Sequence, residues 1–258
     1  MLESPDLIVQ AHRNFVEAGA EVVITSSYQV SRRGFQEIGL TAEEADLALT
    51  NSVKAARAAV AGTSTKVAAS IGPFGAVLHD GSEYRGNYGV SEEELTQFHA
   101  ERIKVLEAAG PDILLAETIP DLLEAHALAV ALEKTSLPVW ISFTAGEADS
   151  LWSGDRIEDA VAAVSAIPTL EAIGFNCVNP NLVTELVTRV RAVSDIAVVI
   201  YPNKGGSWDA AAGEWGYQEQ KTLEGFWQEW KNLDVAYVGG CCGLDSRDIE
   251  NLAKAVSA

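Results

Sequence analysis

The feature that most constrains the fold of this 258-residue chain is a series of short apolar runs separated by longer helical patterns. Each run has four to six residues and is continuously apolar rather than alternating, which is typical of parallel strands buried on both faces. A regular alternation of strands and helices predicts a parallel sheet with helices outside it, either open or closed into a barrel. The seven runs are residues 22–25, 66–71, 113–116, 139–143, 172–175, 196–200 and 235–238.

The residues that follow these runs favour a barrel over an open, dinucleotide-binding sheet. No glycine-rich phosphate-binding fingerprint follows an early run. Polar and unusual residues instead recur just past the runs, where (β/α)8 barrels build their active sites. We therefore predict an α/β fold, a (β/α)8 TIM-type barrel, formed by residues 1–258 as a single domain. The segments concerned are residues 25–28, 72–73, 117–118, 176–177, 201–203 and 239–242.

One strand of this barrel is missing from the sequence pattern. A (β/α)8 barrel begins with a strand and has eight, whereas this chain begins with a helical pattern and has seven readable strands. We therefore expect an N-terminally incomplete domain with an open seam between the runs at 22–25 and 235–238. We also expect the active protein to start roughly 15–40 residues upstream, which is enough for one strand and its turns.

Helix starts and long connections complete the predicted organisation. Thr41 and Glu44 fit a capping box, in which two side chains satisfy each other's unpaired backbone donors at a helix start. Two connections, residues 72–90 and 201–220, are too long for simple turns and are typical of lids or binding loops. Both follow strand ends and so lie on the predicted active face.

Charge and hydropathy restrict the partners of this chain. Its 18 Lys and Arg against 37 Asp and Glu give a net charge of −19, which repels phosphate backbones and anionic lipid. We therefore expect small-molecule substrates, with no nucleic acid or membrane partner. No stretch approaches the ~18 apolar residues that span a bilayer, and the first residues, MLESPDL, do not form a signal peptide. These observations indicate a cytoplasmic protein, for which an oligomeric state is possible.

The three cysteines form the group that carries chemistry. Cys177 follows the fifth run, and Cys241 and Cys242 follow the seventh, so all three lie at strand ends on one face. An odd number makes no disulfide framework, and a bond between adjacent Cys241 and Cys242 would be strained. Single buried cysteines usually act as small hydrophobes, but three on one face disfavour that interpretation.

A metal ion explains the cysteines better. Thiolates are soft ligands that favour zinc, and three protein ligands leave a fourth tetrahedral position open, as in catalytic sites. We therefore predict that Cys177, Cys241 and Cys242 hold Zn²⁺. The preceding Gly239 and Gly240 are expected to supply the backbone freedom that turns two successive side chains toward one point.

This ligand set predicts the reaction class. Zinc bound by three thiolates carries more negative charge than zinc bound by three neutral imidazoles, so it activates water poorly, and a hydrolase is disfavoured. Such a site instead binds a further thiol, deprotonates it and keeps the thiolate electron-rich. The expected reaction is alkylation of a thiol substrate, and we predict no catalytic side chain beyond the metal centre.

The sequence around these residues resembles the homocysteine S-methyltransferases. The resemblance covers essentially the whole chain, and its most specific motif is the cysteine pair with an upstream Asn-Cys. The loop Asp-Gly-Ser-Glu-Tyr-Arg-Gly at 80–86 is similar to the subgroup that uses S-methylmethionine or S-adenosylmethionine rather than betaine. The resemblance implies a (β/α)8 fold, zinc on the three cysteines, and methyl transfer from a sulfonium donor to homocysteine, giving methionine. The other matching segments are Ala-Gly-Ala-Glu-Val-Val-Ile-Thr-Ser-Ser-Tyr-Gln (18–29), Ser-Ile-Gly-Pro-Phe-Gly (70–75), Gly-Phe-Asn-Cys (174–177) and Val-Gly-Gly-Cys-Cys-Gly (238–243).

Substrate contacts follow from the chemistry of homocysteine together with the resemblance. Glu117 matches the family's acidic residue that pairs with the substrate ammonium, and its alternative role is a structural salt bridge. Ser27 or Thr25, with backbone amides near Gly72, can hold the substrate carboxylate, although capping or turn roles explain these hydroxyls equally well. Asn176, in the Asn-Cys motif, is placed with the substrate-binding residues.

Several features leave alternatives open. Tyr84, Tyr88, Trp208 and Trp215 in the two long connections either contact the cationic donor through their ring faces or only anchor the loops. Asn203 matches a Tyr-Pro-Asn pattern of the family and receives no role. The alternative functions are methylation of another small thiol or a selenol, and a catalytically silent zinc-binding barrel, which the absent first strand favours.

Overall fold

Seven parallel strands form one curled sheet in the order β1-β2-β3-β4-β5-β6-β9, and β7 and β8 form a separate antiparallel hairpin. This computed structural model describes residues 2, 4–205, 207–209, 214–216 and 221–258, with the backbone alone for 207–209 and 214–216. The seven strands lie where the seven apolar runs predicted them. The strands are β1 (Val22–Ile24), β2 (Lys66–Ile71), β3 (Ile113–Ile119), β4 (Val139–Phe143), β5 (Leu170–Asn176), β6 (Ala197–Tyr201), β7 (Ser207–Asp209), β8 (Glu214–Gly216) and β9 (Val235–Val238).

Helices cover the outside of the sheet, and the start of α3 shows the predicted capping box, with Thr41 and Glu44 each bonding the other's backbone amide. Among the described residues, no helix has the length and apolar character to cross a membrane. The described helices are α1 (Pro5–Glu17), α2 (Arg32–Glu37), α3 (Ala42–Ala59), α4 (Gly75–Leu78), α5 (Glu92–Ala108), α6 (Leu122–Leu132), α7 (Ile157–Val164), α8 (Val183–Val193), α9 (Leu223–Trp230) and α10 (Ser246–Val256).

The strands are continuously apolar because both faces of the sheet are buried. In β3, Leu114 and Ala116 pack into the main core between the sheet and the helices. The alternate residues Ile113 and Leu115 pack into a second cluster on the inner face of the sheet, with Trp140 of β4 among them. Parallel strands of this kind, enclosed on both sides, are those of a TIM-like α/β fold.

The sheet has an open seam, whereas the helix layer closes around it. Among the described residues, β1 pairs only with β2, and β9 pairs only with β6. Helix α1 nevertheless contacts both α3 and α10. Gly19, at the end of α1, has a φ of +95°, and a Cβ there would lie 3.3 Å from the Cβ of Ala253. The prediction of seven strands with an open seam is therefore confirmed, and an upstream start of the active protein stays a prediction.

Both long connections contain local structure at the carboxyl ends of the strands. The first, residues 72–90, holds α4 and a 3-10 turn at Ser82–Tyr84. The second holds the hairpin β7–β8, which the sequence pattern did not predict. Trp208 and Trp215 are paired in register across this hairpin, and their side chains lie outside the described residues.

Candidate active site

The three cysteines lie together at the carboxyl ends of β5 and β9. All three sulfur atoms lie within 4.8 Å of one another. The Cys242 sulfur is 3.4 Å from the Cys177 sulfur and 3.9 Å from the Cys241 sulfur, and a disulfide joins Cys177 to Cys241. Cys177 is buried and Cys242 is exposed, so the cluster opens toward solvent on one side.

The donor set of this cluster fits a soft metal ion once the disulfide is reduced. Ligands about 2.3 Å from a tetrahedral metal lie about 3.8 Å from each other, and the separations of 3.4 and 3.9 Å fall on either side of that value. Metal binding needs all three sulfurs as thiolates, so the disulfide, which the sequence did not predict, and the metal exclude each other. Three sulfur ligands would leave a fourth position for a substrate atom.

The segment after β6 holds both cysteine segments in place. The amide of Cys177 donates to the carbonyl of Tyr201 at 3.2 Å, and the amide of Cys241 donates to the carbonyl of Pro202 at 2.8 Å. The side-chain amide of Asn203 donates to the carbonyl of Cys177 at 3.1 Å. The Tyr-Pro-Asn pattern, to which the sequence assigned no role, therefore fixes the distance between the two strand ends that carry the cysteines.

The glycines before Cys241 do not adopt unusual backbone angles, so the predicted role of Gly239 and Gly240 in supplying backbone freedom is wrong. Neither Gly239 nor Gly240 has a φ in the left-handed region, whereas Cys177 has a φ of +50°. A Cβ at Gly240 would lie 2.7 Å from Cδ1 of Leu244, and one at Gly239 would lie 3.4 Å from the Tyr201 side chain. Gly240 therefore lets the cysteine loop pack closely against Leu244, whereas Gly239 has room for a Cβ.

Glu117, near the end of β3, is a buried carboxylate without an ion-pair partner among the described residues. Its side chain accepts hydrogen bonds from the Ser70 hydroxyl and, at 3.1 Å, from the Tyr201 hydroxyl. Burial raises the pKa of Glu117, and the two hydrogen bonds act in the opposite direction. The described structure contains no salt bridge to Glu117, so its negative charge is available to a cation on a ligand.

Thr25 and Ser27 hydrogen-bond the backbone of Ser70, the residue whose hydroxyl donates to Glu117. The Ser27 hydroxyl donates to the Ser70 carbonyl at 2.7 Å, so the Thr25 hydroxyl must be the donor in its 2.7 Å bond to Ser27. Thr25 in turn accepts from the Ser70 amide at 2.9 Å. Both hydroxyl protons are used within the protein, and the pair ties the end of β1 to the residue that bonds Glu117.

Asn176 is engaged with the end of β3. Its side-chain oxygen accepts from the Thr118 amide at 2.7 Å, and its side-chain nitrogen donates to the Thr118 hydroxyl at 2.7 Å. Thr118 has a φ of +62°, which is rare for a β-branched residue. Because Thr118 follows Glu117 and Asn176 precedes Cys177, this side chain links the carboxylate to the cysteine cluster.

Aromatic residues border the exposed side of the cluster. Tyr84 lies beside Cys242, and burial, with a smaller contribution from Cys242, raises the pKa of Tyr84. Tyr88 is turned away, since its hydroxyl donates to Glu124 at 2.9 Å. Trp152, in the loop after β4, lies beside Tyr84, with 6.3 Å between ring centroids. The sequence patterns did not single out Trp152, because no motif marks its loop.

Comparison with known sequences gives a consistent set of relatives. A family model described as homocysteine S-methyltransferase matches residues 1–256. Homocysteine S-methyltransferase 1 of Arabidopsis thaliana is 38% identical over 274 residues, covering 98% of this chain and 84% of the relative. Selenocysteine methyltransferase of Astragalus bisulcatus is 34% identical, covering 100% of this chain and 85% of the relative.

Solved structures agree with the sequence relatives. The homocysteine methyltransferase MmuM from Escherichia coli, in its metallated form, superposes with a TM-score of 0.87 at 33% identity, over 98% of this chain and 85% of that chain. Its oxidized form superposes with a TM-score of 0.86 at 32% identity over the same shares. The fold described above is therefore shared with this protein.

Proposed function

Because this chain belongs to the homocysteine S-methyltransferase family, we propose that it transfers a methyl group from S-methylmethionine or S-adenosylmethionine to the thiolate of L-homocysteine, giving methionine. The observation that carries the proposal is that the three cysteine sulfurs lie at the same end of the sheet as Glu117, whose carboxylate has no ion-pair partner among the described residues. Homocysteine presents a thiol and an ammonium, which these two groups complement. A sulfonium donor suits a thiolate acceptor, because methyl transfer neutralises both charges.

We propose Zn²⁺ as the metal, held by Cys177, Cys241 and Cys242. Their softness as ligands supports zinc over magnesium, calcium or manganese, and the related MmuM from Escherichia coli has a metallated form. When bound, zinc would lower the pKa of a coordinated thiol, so that the acceptor is a thiolate at neutral pH.

The chain's own residues bind and orient the acceptor. The Glu117 carboxylate pairs with the ammonium, and Ser70 and Tyr201 fix its two oxygens. Thr25 and Ser27 support Ser70, so we assign them a positioning role in the substrate site rather than direct contact with the substrate carboxylate.

Asn176 is also assigned a positioning role. It holds Thr118 in its left-handed conformation and thereby sets where Glu117 lies relative to Cys177.

The partners in this proposal are small molecules, in keeping with the net charge of −19, and the location is the cytoplasm.

The experiment that tests the proposal incubates reduced, zinc-loaded protein with homocysteine and either sulfonium donor, and measures methionine. Methionine formation that stops on removal of zinc by a chelator is the expected result. No methionine with either donor would favour the catalytically silent barrel. Competition between homocysteine and selenocysteine in the same assay decides between a thiol and a selenol acceptor.

A further inference from the structure

The 3-10 turn at Ser82–Tyr84 lies over the exposed side of the cysteine cluster. It follows α4 in the connection between β2 and α5, and Gly75 makes room for it: a Cβ at Gly75 would lie 2.5 Å from the Glu83 amide nitrogen. Tyr84 of this turn lies beside Cys242.

The Glu83 carboxylate in this turn is half-buried and only partly hydrogen-bonded. Its Oε2 atom is buried and has no hydrogen-bond partner in the described part of the chain. No ion pair between described residues includes Glu83, whereas Glu158, for example, pairs with Arg156 and Arg189. Burial, and to a smaller extent Asp80, raise the pKa of Glu83, whereas its own backbone amide and His79 act in the opposite direction. A half-buried carboxylate with one unsatisfied oxygen is costly in the free protein, which indicates a site for a cation.

Glu83 lies near the cysteine cluster. Glu83 directly precedes Tyr84 in the turn, and Tyr84 lies beside Cys242. A cation held by Glu83 would therefore stand next to the position that a substrate thiol occupies on the cluster.

Trp152 supplies an aromatic surface at the same place from a different loop. Its side chain is 45% exposed, although large aromatic side chains are usually buried. The ring packs over Gly146, where a Cβ would lie 2.8 Å from it, and meets the Tyr84 ring edge to face at 75°. Gly146 thus keeps the indole in place beside the turn.

We propose that Glu83, Tyr84 and Trp152 form the binding site for the sulfonium group of the methyl donor. This inference rests on the proposed function and names the residues that recognise the second substrate. A carboxylate and two aromatic rings are the groups that attract a cation without donating hydrogen bonds, and a sulfonium cannot accept any. Glu117 and the cysteines take the acceptor, so the two substrates use separate groups.

The charge balance of the reaction predicts what this site does to the kinetics. The bond between the donor methyl carbon and the sulfonium sulfur breaks, its electron pair stays on that sulfur, and the acceptor thiolate forms the new bond to the methyl carbon. The donor thereby becomes a neutral thioether, and the acceptor's thiol proton has left to solvent. Attraction to Glu83 is strongest before transfer and fades as the charge disappears, so Glu83 lowers the donor's KM without raising kcat.

The test compares the binding of S-methylmethionine with that of methionine, which differs from it by the methyl group and the positive charge. Titration calorimetry on zinc-loaded wild type should show tighter binding of S-methylmethionine. In Glu83→Gln the preference should fall about fivefold or more, as expected for the loss of an ion pair that is partly removed from water. In Trp152→Leu this preference should fall roughly 2- to 30-fold, and in Trp152→Phe it should fall less.

Controls separate this inference from the proposed function. Glu147→Gln, an exposed carboxylate in the loop after β4, should keep the wild-type preference. Steady-state kinetics of Glu83→Gln should show a raised KM for the donor, a kcat that is equal to or higher than that of wild type, and an unchanged KM for homocysteine. An unchanged preference in both Glu83→Gln and Trp152→Leu, or no preference in wild type, overturns the donor site. Lack of methionine formation by wild type overturns the proposed function instead.

Discussion

Replacing Glu117 with glutamine removes one negative charge from the site while keeping its shape. Glutamine can still accept from Ser70 or Tyr201 through its single oxygen, but its amide nitrogen cannot pair with an ammonium. If Glu117 holds the homocysteine ammonium, this substitution weakens acceptor binding and leaves the metal ligands untouched.

The expected magnitude follows from the burial of the carboxylate. Glu117 is 7% exposed and has no cationic partner among the described residues, so the ammonium would be its only counter-charge there. Hydrogen bonds to charged groups contribute about 1.5–3 kcal/mol, which corresponds to a rise in the homocysteine Kd of roughly 10- to 150-fold.

The same substitution that weakens homocysteine binding should make the free protein relatively more stable as pH rises. Burial raises the pKa of Glu117, so the stability linked to this group is fully present below its unfolded pKa of about 4.3 and is lost as pH rises through the folded pKa. Glutamine does not titrate. The free energy of unfolding of Glu117→Gln should therefore increase relative to wild type as pH rises.

The assay is calorimetric titration of zinc-loaded protein with homocysteine, together with urea unfolding of the metal-free protein at about pH 5 and about pH 8. Glu171→Gln, an exposed carboxylate on β5, serves as the matched control and should change neither quantity. An unchanged homocysteine Kd in Glu117→Gln would refute the assignment of Glu117 to the ammonium.

Three further predictions concern the metal, the positioning residues and the domain. Cys242→Ser should abolish stoichiometric zinc binding, measured by elemental analysis, because the described residues offer no other soft cluster; full zinc content would argue against the site. Asn176→Ala should leave the Thr118 amide unpaired and lower the free energy of unfolding by about 1–3 kcal/mol, with weaker homocysteine binding and retained zinc; intact homocysteine binding would remove its positioning role. Residues 1–258 should unfold in one cooperative calorimetric transition, and two resolved transitions would contradict a single domain.

The strands could be predicted from the sequence because each buried position is occupied by an apolar residue. Both faces of β3 pack into apolar clusters, so every position in it is apolar up to Ala116, and the run is visible without any knowledge of neighbours. The grouping of the cysteines followed for a similar reason. Carboxyl ends of parallel strands meet at one end of the sheet, so Cys177 and Cys241 had to lie on the same face.

Features that depend on pairing between distant residues could not be predicted in this way. Asn176 is held by Thr118, 58 residues away, and a lone asparagine before a cysteine does not reveal that partner. The hydroxyls of Thr25 and Ser27 are ordinary in the sequence, and only their bonds to Ser70 show that their protons are used.

The same limit applies at the rim of the site. The sequence predicted a special role for Gly240, but a glycine is needed there because of the Leu244 side chain and not because of the backbone angle φ. Glu83 belongs to a recognisable loop motif, yet its unpaired oxygen becomes evident only in three dimensions. The contact of Trp152 with Tyr84 depends on two loops that follow different strands.

The most direct test of the proposed metal centre is X-ray absorption at the zinc edge on the reduced, zinc-loaded protein, recorded before and after addition of homocysteine. The three converging cysteines predict three sulfur neighbours from the protein at about 2.3 Å, and a fourth sulfur neighbour when homocysteine is present. Zinc held mainly by nitrogen and oxygen, or a sulfur count that homocysteine does not change, would contradict it.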